Sequence, residues 1–336
     1  MKALVVHGQG DLRVEARPDP LCPPDAVIVD IEYGGICGSD IHYVLHGATG
    51  LSILKEPMVL GHEVAGRIRS LGAGVSGFNE GQVVTIHPAT TCGACPACLS
   101  GRDNLCKDSS YYGSAAHFPH TDGAFASQKV VAARQIRVAP AGVSTRQAAV
   151  AEPLAVAIHA VRRAGDLQGK TVLVNGAGPI GSLVVAAARR AGAATILASD
   201  VAESSLAVAK AMGADTVVNV REESLPEADV AFEASGLPGV LGGVFAAVRP
   251  GGVVVQVGNL PAGLVQAELA ALVSREIDYR GTYRFVDEIS DALAYLADGL
   301  DVEPVLTHTF DADDAEEAFR TATDRSTGSS KVLLKF

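Results

Sequence analysis

The chain has 336 residues, 48% of them hydrophobic and 5% aromatic, with no Trp and a formal net charge of -11 at pH 7. An acidic balance argues against partners that basic surfaces recruit, so we expect neither nucleic acid nor an anionic membrane as a partner. No apolar run approaches the roughly 18 residues of a membrane helix, and the N-terminal "MKALVVHGQG" lacks the features of a secretion signal. These features predict a soluble cytoplasmic protein of about two domains.

The first 150 residues predict a β-rich domain. Short Val and Ile runs such as "AVIVDIEY", "GQVVTIHP" and "FASQKVVA" are separated by Gly, Pro and Asn turn signals. Irregular loops between these runs carry Cys and His residues. We therefore place the candidate metal ligands on loops of a β-rich domain.

Three short segments of this half contain residue types that bind metals or transfer protons. "GGICGSDIHY" supplies Cys37, Ser39, Asp40 and His42, "GHEVAG" supplies His62 and Glu63, and "AEPLAVAIHA" supplies Glu152. Each residue alone has a structural explanation, such as a small buried Cys or a carboxylate that caps a helix. Together they offer ligands for a three-ligand zinc with an open fourth position, which is typical of catalytic zinc.

Four of the six cysteines lie in one segment, "TCGACPACLSGRDNLC". Their spacing, C-x2-C-x2-C-x7-C, allows Cys92, Cys95, Cys98 and Cys106 to fill all four positions around a structural zinc. Disulfides are rare in a reducing cytoplasm, and an iron–sulfur cluster is the less favoured metal alternative. Cys22 is interpreted as a free thiol.

From about residue 153 the pattern changes to alternating strands and helices. "TVLVNGAGPIGSLVVAAARRAGAATILASD" reads as strand, tight turn, helix and strand, and further candidates include the strand "GGVVVQVG" and the helix "LGGVFAAVRP". Such alternation predicts a parallel, doubly wound sheet. After about residue 285, "VDEISDALAYLADG" and "DDAEEAFRTATD" predict helices and "KVLLKF" predicts a closing strand.

The turn "GAGPIG" has the spacing of a dinucleotide-binding motif. Gly176 permits the sharp turn, Gly178 lets the backbone approach a pyrophosphate, and Gly181 lets the helix pack on the strand. Pro179 and Ile180 open the helix, whose N-terminus faces the phosphates. The motif follows an apolar strand and opens a helix, which is the context that it requires.

Asp200 ends the next predicted strand, 19 residues after Gly181, where a carboxylate accepts hydrogen bonds from the adenosine ribose. Its charge and that of Glu203 would repel a 2′-phosphate, and no Lys or Arg follows until Lys210. The sequence therefore favours NAD over NADP.

A late strand, "VVVQVGNL", is expected to bring Val257, Gly258 and Asn259 beside the nicotinamide. A backbone carbonyl and amide there could bind the carboxamide. The alternative is a buried strand without ligand contact. Its position late in the doubly wound domain, with Gly at the carboxyl edge, favours the coenzyme interpretation.

With these motifs, the chain resembles the zinc-dependent medium-chain dehydrogenases, in their polyol (sorbitol) branch, from its first strand to its last. The resemblance implies a GroES-like β-rich catalytic domain over 1–152 and 285–336 and a Rossmann NAD-binding domain over 153–284. It also implies a homodimer or homotetramer that associates through edge strands of the NAD domain. A coenzyme-binding protein without catalysis is the alternative from another class.

The resemblance also assigns the metal ligands. It implies that Cys37, His62 and Glu63 bind the catalytic zinc. Glu152 would either ligate the zinc directly or bind it through water. The chain has no Cys after Cys106, so a cysteine ligand from further along the chain is impossible.

Two routes for the hydroxyl proton follow from the resemblance. In the wider superfamily, the positions of Ser39 and His42 pass this proton through the coenzyme ribose towards solvent. Glu152, with a water, is the rival base. The alternative for Ser39 is a hydroxyl in a turn, and for His42 an exposed polar side chain.

The substrate is expected to be a sugar acid or a polyol. The stretch "YYGSAAHFPHTDG" resembles those members of the branch that act on the sugar acid L-idonate. Its carboxylate needs a cationic partner in a dry pocket, and the resemblance makes Arg284 the leading candidate. Tyr283 is assigned to the coenzyme site, and His117 and His120 are candidate helpers. A sorbitol, xylitol or vicinal-diol dehydrogenase is the alternative.

Overall fold

The structure, a computed structural model, describes all 336 residues, and the chain divides into two compact units. The first unit comprises Met1–Glu152, Ile289–Leu300 and Leu306–Phe336, and the second comprises Pro153–Glu288 and Asp301–Val305. None of the helices is both long and apolar enough to cross a membrane.

Strands and helices are numbered in chain order. The strands are β1 Lys2–Gly8, β2 Asp11–Ala16, β3 Ala26–Gly35, β4 Ala48–Thr49, β5 Ser52–Ile53, β6 Met58–Val59, β7 Glu63–Leu71, β8 Val83–Ile86, β9 Ala89–Thr90, β10 Ser110–Tyr111, β11 Gln128–Ala132, β12 Ile136–Val138, β13 Thr171–Asn175, β14 Thr195–Asp200, β15 Thr216–Asn219, β16 Ala228–Glu233, β17 Val248–Gln256, β18 Asp278–Gly281, β19 Leu306–Asp311 and β20 Lys331–Lys335. The α-helices are α1 Gly38–His46, α2 Pro96–Leu99, α3 Thr145–Ala148, α4 Ala151–Ala164, α5 Pro179–Arg190, α6 Glu203–Ala211, α7 Leu241–Ala247, α8 Ala270–Ser274, α9 Glu288–Ala297 and α10 Ala315–Thr323.

The first unit is built on a seven-stranded sheet. Its strand order is β12-β8-β7-β3-β20-β19, and β11 also pairs with β3. Alternate residues of β3, such as Val27, Val29 and Ile31, are buried in one core with Phe125. The predicted β-rich half is confirmed, and the pairing of β20 with β3 brings the C-terminal strand into it.

The second unit is a six-stranded parallel sheet with the order β15-β14-β13-β16-β17-β18. The predicted doubly wound sheet is therefore confirmed. The strand order reverses direction between β13 and β16, and in such sheets ligands bind at the carboxyl ends of the strands at this switch point. The helix predicted over "LGGVFAAVRP" ends earlier, at Ala247, because Pro250 cannot continue a helix and belongs to β17.

Small residues allow α5 to pack closely on this sheet. The helix buries an unbroken run from Gly181 to Ala188, mostly Ala and Val. A Cβ on Gly181 would lie 1.8 Å from the carbonyl oxygen of Gly176, so only glycine fits there. Close approach of backbones thus takes the place of the aromatic packing that the composition lacks.

Glu288, the first residue of α9, is a buried carboxylate in a hydrogen-bonded site. It lies 2.9 Å from Nδ1 of His159, and its other oxygen accepts a 2.6 Å hydrogen bond from the amide of Val286. Burial raises the pKa of Glu288, but these contacts outweigh burial and lower its pKa to about 2.

The lowered pKa of Glu288 predicts that acid reduces the stability of the fold. Its ionised form stabilises the fold above the unfolded pKa of 4.5, and that stabilisation is lost as the pH falls towards about 2. We expect the loss to be on the order of 3 kcal/mol, measured as the free energy of unfolding between pH 5 and pH 2.5. Glu288→Gln should be less stable at pH 7 and should lose less on acidification. An equal loss in both proteins would contradict the assignment.

Candidate active site

Strand pairing brings three of the candidate zinc ligands together in the first unit. Antiparallel pairing of β3 with β7 places Gly35 opposite Glu63, so Cys37, two residues beyond β3, reaches the start of β7. The ligand atoms of Cys37, His62 and Glu63 all lie within 4.8 Å of one another. His62 and Glu63 are buried and Cys37 is half-buried.

The surroundings of His62 favour a cation. Its Nδ1 is buried without a hydrogen-bond partner and lies 3.9 Å from a carboxylate oxygen of Asp40. Burial lowers the pKa of His62, but the negative charges of Cys37 and Asp40 outweigh it and raise the pKa to about 10. The same negative surroundings that favour a positive charge on His62 also favour a metal ion beside it.

Asp40 is fully buried behind these residues. Its carboxylate accepts hydrogen bonds from the backbone amides of Cys37 at 3.0 Å and Gly61 at 3.2 Å. Desolvation raises the pKa of Asp40. Asp40 therefore fixes the two loops that carry Cys37 and His62.

A buried ion pair holds Glu63. Nζ of Lys331, on β20, lies 2.8 Å from each Glu63 carboxylate oxygen and donates to the carbonyl of Ile36 at 3.1 Å. A Cβ on Gly35 would lie 2.3 Å from one of these oxygens, so the carboxylate depends on glycine at that position. Burial lowers the pKa of Lys331, but the charge and hydrogen bond of Glu63, together with the charges of Cys37 and Glu152, outweigh burial and raise it.

Glu152 lies outside the group of three and is tied to Tyr111. Its carboxylate accepts a very short hydrogen bond from the Tyr111 hydroxyl, and the Tyr111 ring contacts His62 edge-on with centroids 5.5 Å apart. Burial raises the pKa of Glu152 to about 6. A carboxyl group with this pKa can exchange a proton near neutral pH, which suits the base role and the ligand role alike.

Ser39 and His42 both lie on α1, directly after Cys37. Ser39 is half-buried and His42 is exposed, so the pair runs from the ligand group towards the surface. The ring of His42 lies 5.5 Å from that of His46, one helical turn further on.

The four clustered cysteines lie at distances that suit one metal ion. Sulfur separations are 3.5 Å for Cys95 to Cys98, 3.5 Å for Cys92 to Cys106 and 3.9 Å for Cys92 to Cys98. Tetrahedral ligands at a Zn–S distance of about 2.3 Å would be about 3.8 Å apart. A disulfide requires about 2.05 Å, so these thiols fit zinc.

The glycine turn of the second unit leaves space where a pyrophosphate would lie. Gly176 has a φ of +93°, and Gly178 precedes Pro179 at the start of α5. A Cβ on Gly178 would meet no atom within 4 Å. Asp200 accepts hydrogen bonds from the amide of Ala177 at 2.8 Å and of Val201 at 2.7 Å, which orients its carboxylate beside the turn.

Val257, Gly258 and Asn259 follow β17 at the same edge of the sheet. The amides of Val257 and Gly258 both donate to the carbonyl of Glu233 at 2.8 Å. Because these amides are used inside the fold, a coenzyme carboxamide would have to contact the Val257 carbonyl or the peptide of Asn259.

Arg284 has an unusual backbone conformation. Its φ is +50°, which costs a non-glycine residue roughly 1–3 kcal/mol and marks functional segments more often than others. Its guanidinium carbon lies 4.9 Å from the ring centroid of Tyr283.

In the first unit, His120 donates from Nδ1 to the His117 carbonyl at 2.8 Å and accepts at Nε2 from the Lys55 amide at 2.8 Å. Its ring therefore has no nitrogen left for a substrate carboxylate.

Comparison with known proteins agrees with this arrangement. Residues 23–141 match the alcohol dehydrogenase GroES-like domain, and residues 179–298 match the zinc-binding dehydrogenase family. The chain is 41% identical to L-idonate 5-dehydrogenase (NAD(P)(+)) of Escherichia coli, over 93% of this chain and 92% of that protein. It is also 33% identical to sorbitol dehydrogenase of Bacillus subtilis, over 99% and 97% of the two chains. The chain belongs to the zinc-dependent medium-chain dehydrogenases of the polyol branch.

The solved structures support the same family for this dehydrogenase. The crystal structure of L-idonate 5-dehydrogenase from Escherichia coli aligns with a TM-score of 0.93 at 40% identity, covering 100% of this chain and 98% of that one. The expected GroES-like domain and Rossmann-like sheet are thereby confirmed. The protein is a zinc- and NAD(P)-dependent enzyme that acts on small polyol or sugar-acid substrates.

Two residues that support the metal site of the dehydrogenase, Lys331 and Tyr111, were not predicted from the sequence. Lys331 contacts Glu63 from 268 positions away, and Tyr111 ends the short strand β10 in "SSYYGS", a sequence without a recognisable metal-site motif. No local pattern could have indicated either contact.

The glycine turn predicts a change that separates folding from coenzyme binding. In Gly178→Ala, the methyl group enters open space, so the melting temperature of the dehydrogenase should change little. The methyl group would occupy the approach of the pyrophosphate, so NADH affinity should fall about tenfold. Fluorescence titration with NADH measures this. The control, Gly8→Ala, lies in the first unit and also places its methyl group where no atom lies within 4 Å, and NADH should bind it as it binds the wild type.

Proposed function

We propose that the dehydrogenase oxidises the C5 hydroxyl of L-idonate to 5-keto-D-gluconate with NAD as the hydride acceptor, and that it also catalyses the reverse reduction. The identity of 41% with an L-idonate 5-dehydrogenase over nearly the whole chain carries this proposal. The ligand set of one cysteine, one histidine and one carboxylate, Cys37, His62 and Glu63, agrees with it, because this set suits a catalytic zinc with an open position.

The residues of the first unit would hold the zinc and manage the proton. Cys37, His62 and Glu63 are the proposed ligands, and Glu152 ligates directly or through water. The zinc, when bound, acts as a Lewis acid that makes the substrate hydroxyl more acidic. Ser39 and His42 then pass the hydroxyl proton towards solvent, and Glu152 offers the second route.

The residues of the second unit would hold the coenzyme. The turn from Gly176 to Gly181 binds the pyrophosphate and Asp200 the adenosine ribose. Val257, Gly258, Asn259 and Tyr283 lie on the nicotinamide side. The negative charges of Asp200 and Glu203 support NAD over NADP, since both would repel a 2′-phosphate. The proposed domains are a catalytic domain over 1–152 and 285–336 and an NAD-binding domain over 153–284.

Initial rates of NADH formation test the substrate. L-Idonate, D-gluconate, sorbitol, xylitol and 2,3-butanediol are compared, each with NAD and with NADP. Preference for L-idonate with NAD supports the proposal. Activity on neutral polyols alone would select the second candidate, which the 33% identity with a sorbitol dehydrogenase favours. Zinc-loaded protein inactive on every alcohol would favour a non-catalytic coenzyme-binding protein.

Arg284→Ala tests recognition of the acid. If Arg284 binds the substrate carboxylate, kcat/KM for L-idonate should fall about a hundredfold, because a charged hydrogen bond is lost. The kcat/KM for sorbitol serves as the internal control and should change less than threefold. Equal losses on both substrates would assign Arg284 to coenzyme binding or to the fold instead.

The sheet edge at β18 supports the proposed homodimer or homotetramer. β18 pairs only with β17, and nearby Val273 and Tyr279 are 77% and 39% exposed. An edge strand presents unpaired backbone N–H and C=O groups to which a second copy can pair, and the exposed Val273 on neighbouring α8 adds apolar surface there. Analytical ultracentrifugation of the wild type and of Val273→Asp tests this.

We also propose a cytoplasmic location, since the thiols of the cysteine cluster need a reducing compartment.

A further inference from the structure

The second unit contains a buried carboxylate to which the proposed reaction assigns no role. Glu233 is the last residue of β16 and is 0% exposed. It pairs across the parallel ladder with Asn175, the last residue of β13. Glu233 therefore lies at the switch point of the sheet, where a coenzyme is expected to bind.

Neutral donors from both sides of this point converge on the Glu233 carboxylate. Oε1 accepts from the amide of Ser235 at 2.7 Å, from the Ser235 hydroxyl and from Nδ2 of Asn175 at 3.4 Å. Oε2 accepts from the amide of Gly236 at 3.1 Å and from Nε2 of Gln256. One side chain thus fixes the turn after β16 and the end of β17.

The two segments that Glu233 fixes also touch each other. Gly236 has a φ of +69°, and a Cβ there would lie 2.5 Å from the carbonyl oxygen of Asn259. A Cβ on Gly258 would lie 2.3 Å from the Gly236 amide. Nε2 of Gln256 also donates to the carbonyl of Gly258 at 2.7 Å. The conformation of the segments that follow β16 and β17 therefore depends on the Glu233 carboxylate.

These strand ends lie on one side of the switch point, and the adenosine site lies on the other. Asp200 ends β14, and the Gly176–Gly181 turn follows β13. A dinucleotide that crosses the switch point must place its nicotinamide half over β16 and β17. We propose that Glu233 is a positioning residue that shapes the nicotinamide half of the coenzyme site, and this inference rests on the proposed coenzyme role of the crevice.

Replacement by glutamine tests the carboxylate with little change in volume. An amide offers one acceptor oxygen, so Glu233→Gln cannot serve the donors on both sides, and a buried donor left unpaired displaces its segment. We expect NADH affinity to fall about tenfold or more. The affinity for ADP-ribose, which lacks the nicotinamide, should change less than threefold. The KM for NAD should rise more than kcat falls.

Asp229→Asn is the matched control. Asp229 is an acidic residue of the same strand at its opposite end, where it accepts from the amide of Thr171 at 2.8 Å and pairs with Arg249 at 2.9 Å. This variant can lose stability, but it should bind NADH and ADP-ribose as the wild type does. Calorimetric titration with the two ligands measures all four affinities.

Several outcomes would overturn the inference. If Glu233→Gln bound NADH and ADP-ribose with equally reduced affinity, Glu233 would have a general structural role. If its affinity for NADH were unchanged, Glu233 would not position the coenzyme. If Glu233→Gln fails to fold, Glu233→Asp, whose carboxylate is one methylene shorter and cannot reach the donors on both sides, must show the same preferential loss of NADH affinity. A wild-type protein that binds neither ligand would contradict the coenzyme site itself.

Discussion

Cys37→Ala is expected to remove one zinc ion of two and nearly all activity. The variant loses the soft ligand of the group formed with His62 and Glu63. Lewis-acid stabilisation by a catalytic zinc contributes several kcal/mol, and about 4 kcal/mol corresponds to about a thousandfold in rate. We therefore expect kcat/KM to fall at least about a thousandfold, with zinc content measured by atomic emission spectrometry.

Cys22→Ser provides the control for loss of a thiol. Cys22 is half-buried, and its sulfur lies 3.5 Å from the backbone carbonyl oxygen of Ala26, away from the metal ligands. This variant should keep two zinc ions and wild-type activity. If Cys37→Ala kept two zinc ions and full activity, the assignment of the catalytic ligands would be wrong.

Lys331→Met is expected to destabilise the metal-free protein more than the zinc-loaded protein. Removing Lys331 leaves Glu63 buried at 1% exposure without its cation, and breaking a buried pair typically costs about 3–5 kcal/mol. A zinc ion beside Glu63 would supply a positive charge, so the loss should be smaller in the loaded protein. By linkage, the variant should bind this zinc more tightly.

Denaturant titration of the metal-free and zinc-loaded proteins measures the two losses. Lys335→Met changes the same residue type on the same strand at an exposed position, and its free energy of unfolding should change by less than about 0.5 kcal/mol. Identical losses with and without zinc in Lys331→Met would show that Glu63 does not face the metal.

Local patterns predicted the second unit well. The turn around Gly176, the apolar runs of β13 and β14 and the intervening α5 are adjacent in sequence, and their periodicity is a local property. The helix before β17 was placed too long, because its apolar pattern continues past Ala247 into the strand. A pattern alone does not mark where Pro250 changes the backbone.

The sequence predicted the zinc ligands of the first unit but not the residues that support them. Cys37, His62 and Glu63 have suitable chemistry and a resemblance to known dehydrogenases. Their supports, Lys331 and Tyr111, come from distant strands, and only the pairing of β20 with β3 reveals the first of them. The sequence suggested a helper role for His120, but it could not show that hydrogen bonds with Lys55 and His117 occupy both ring nitrogens, because these bonds depend on loop geometry.

The position of Lys331 has a consequence for how the protein is made. Residues Pro153–Glu288 leave the ribosome before β20 exists, so the coenzyme unit can fold while synthesis continues. The partner of Glu63 arrives about 270 residues after Glu63 itself. A nascent chain therefore carries the zinc ligands without the cation that balances Glu63. Until β20 pairs with β3, Glu63 lacks this cation, and a zinc ion is the other positive charge that can balance it.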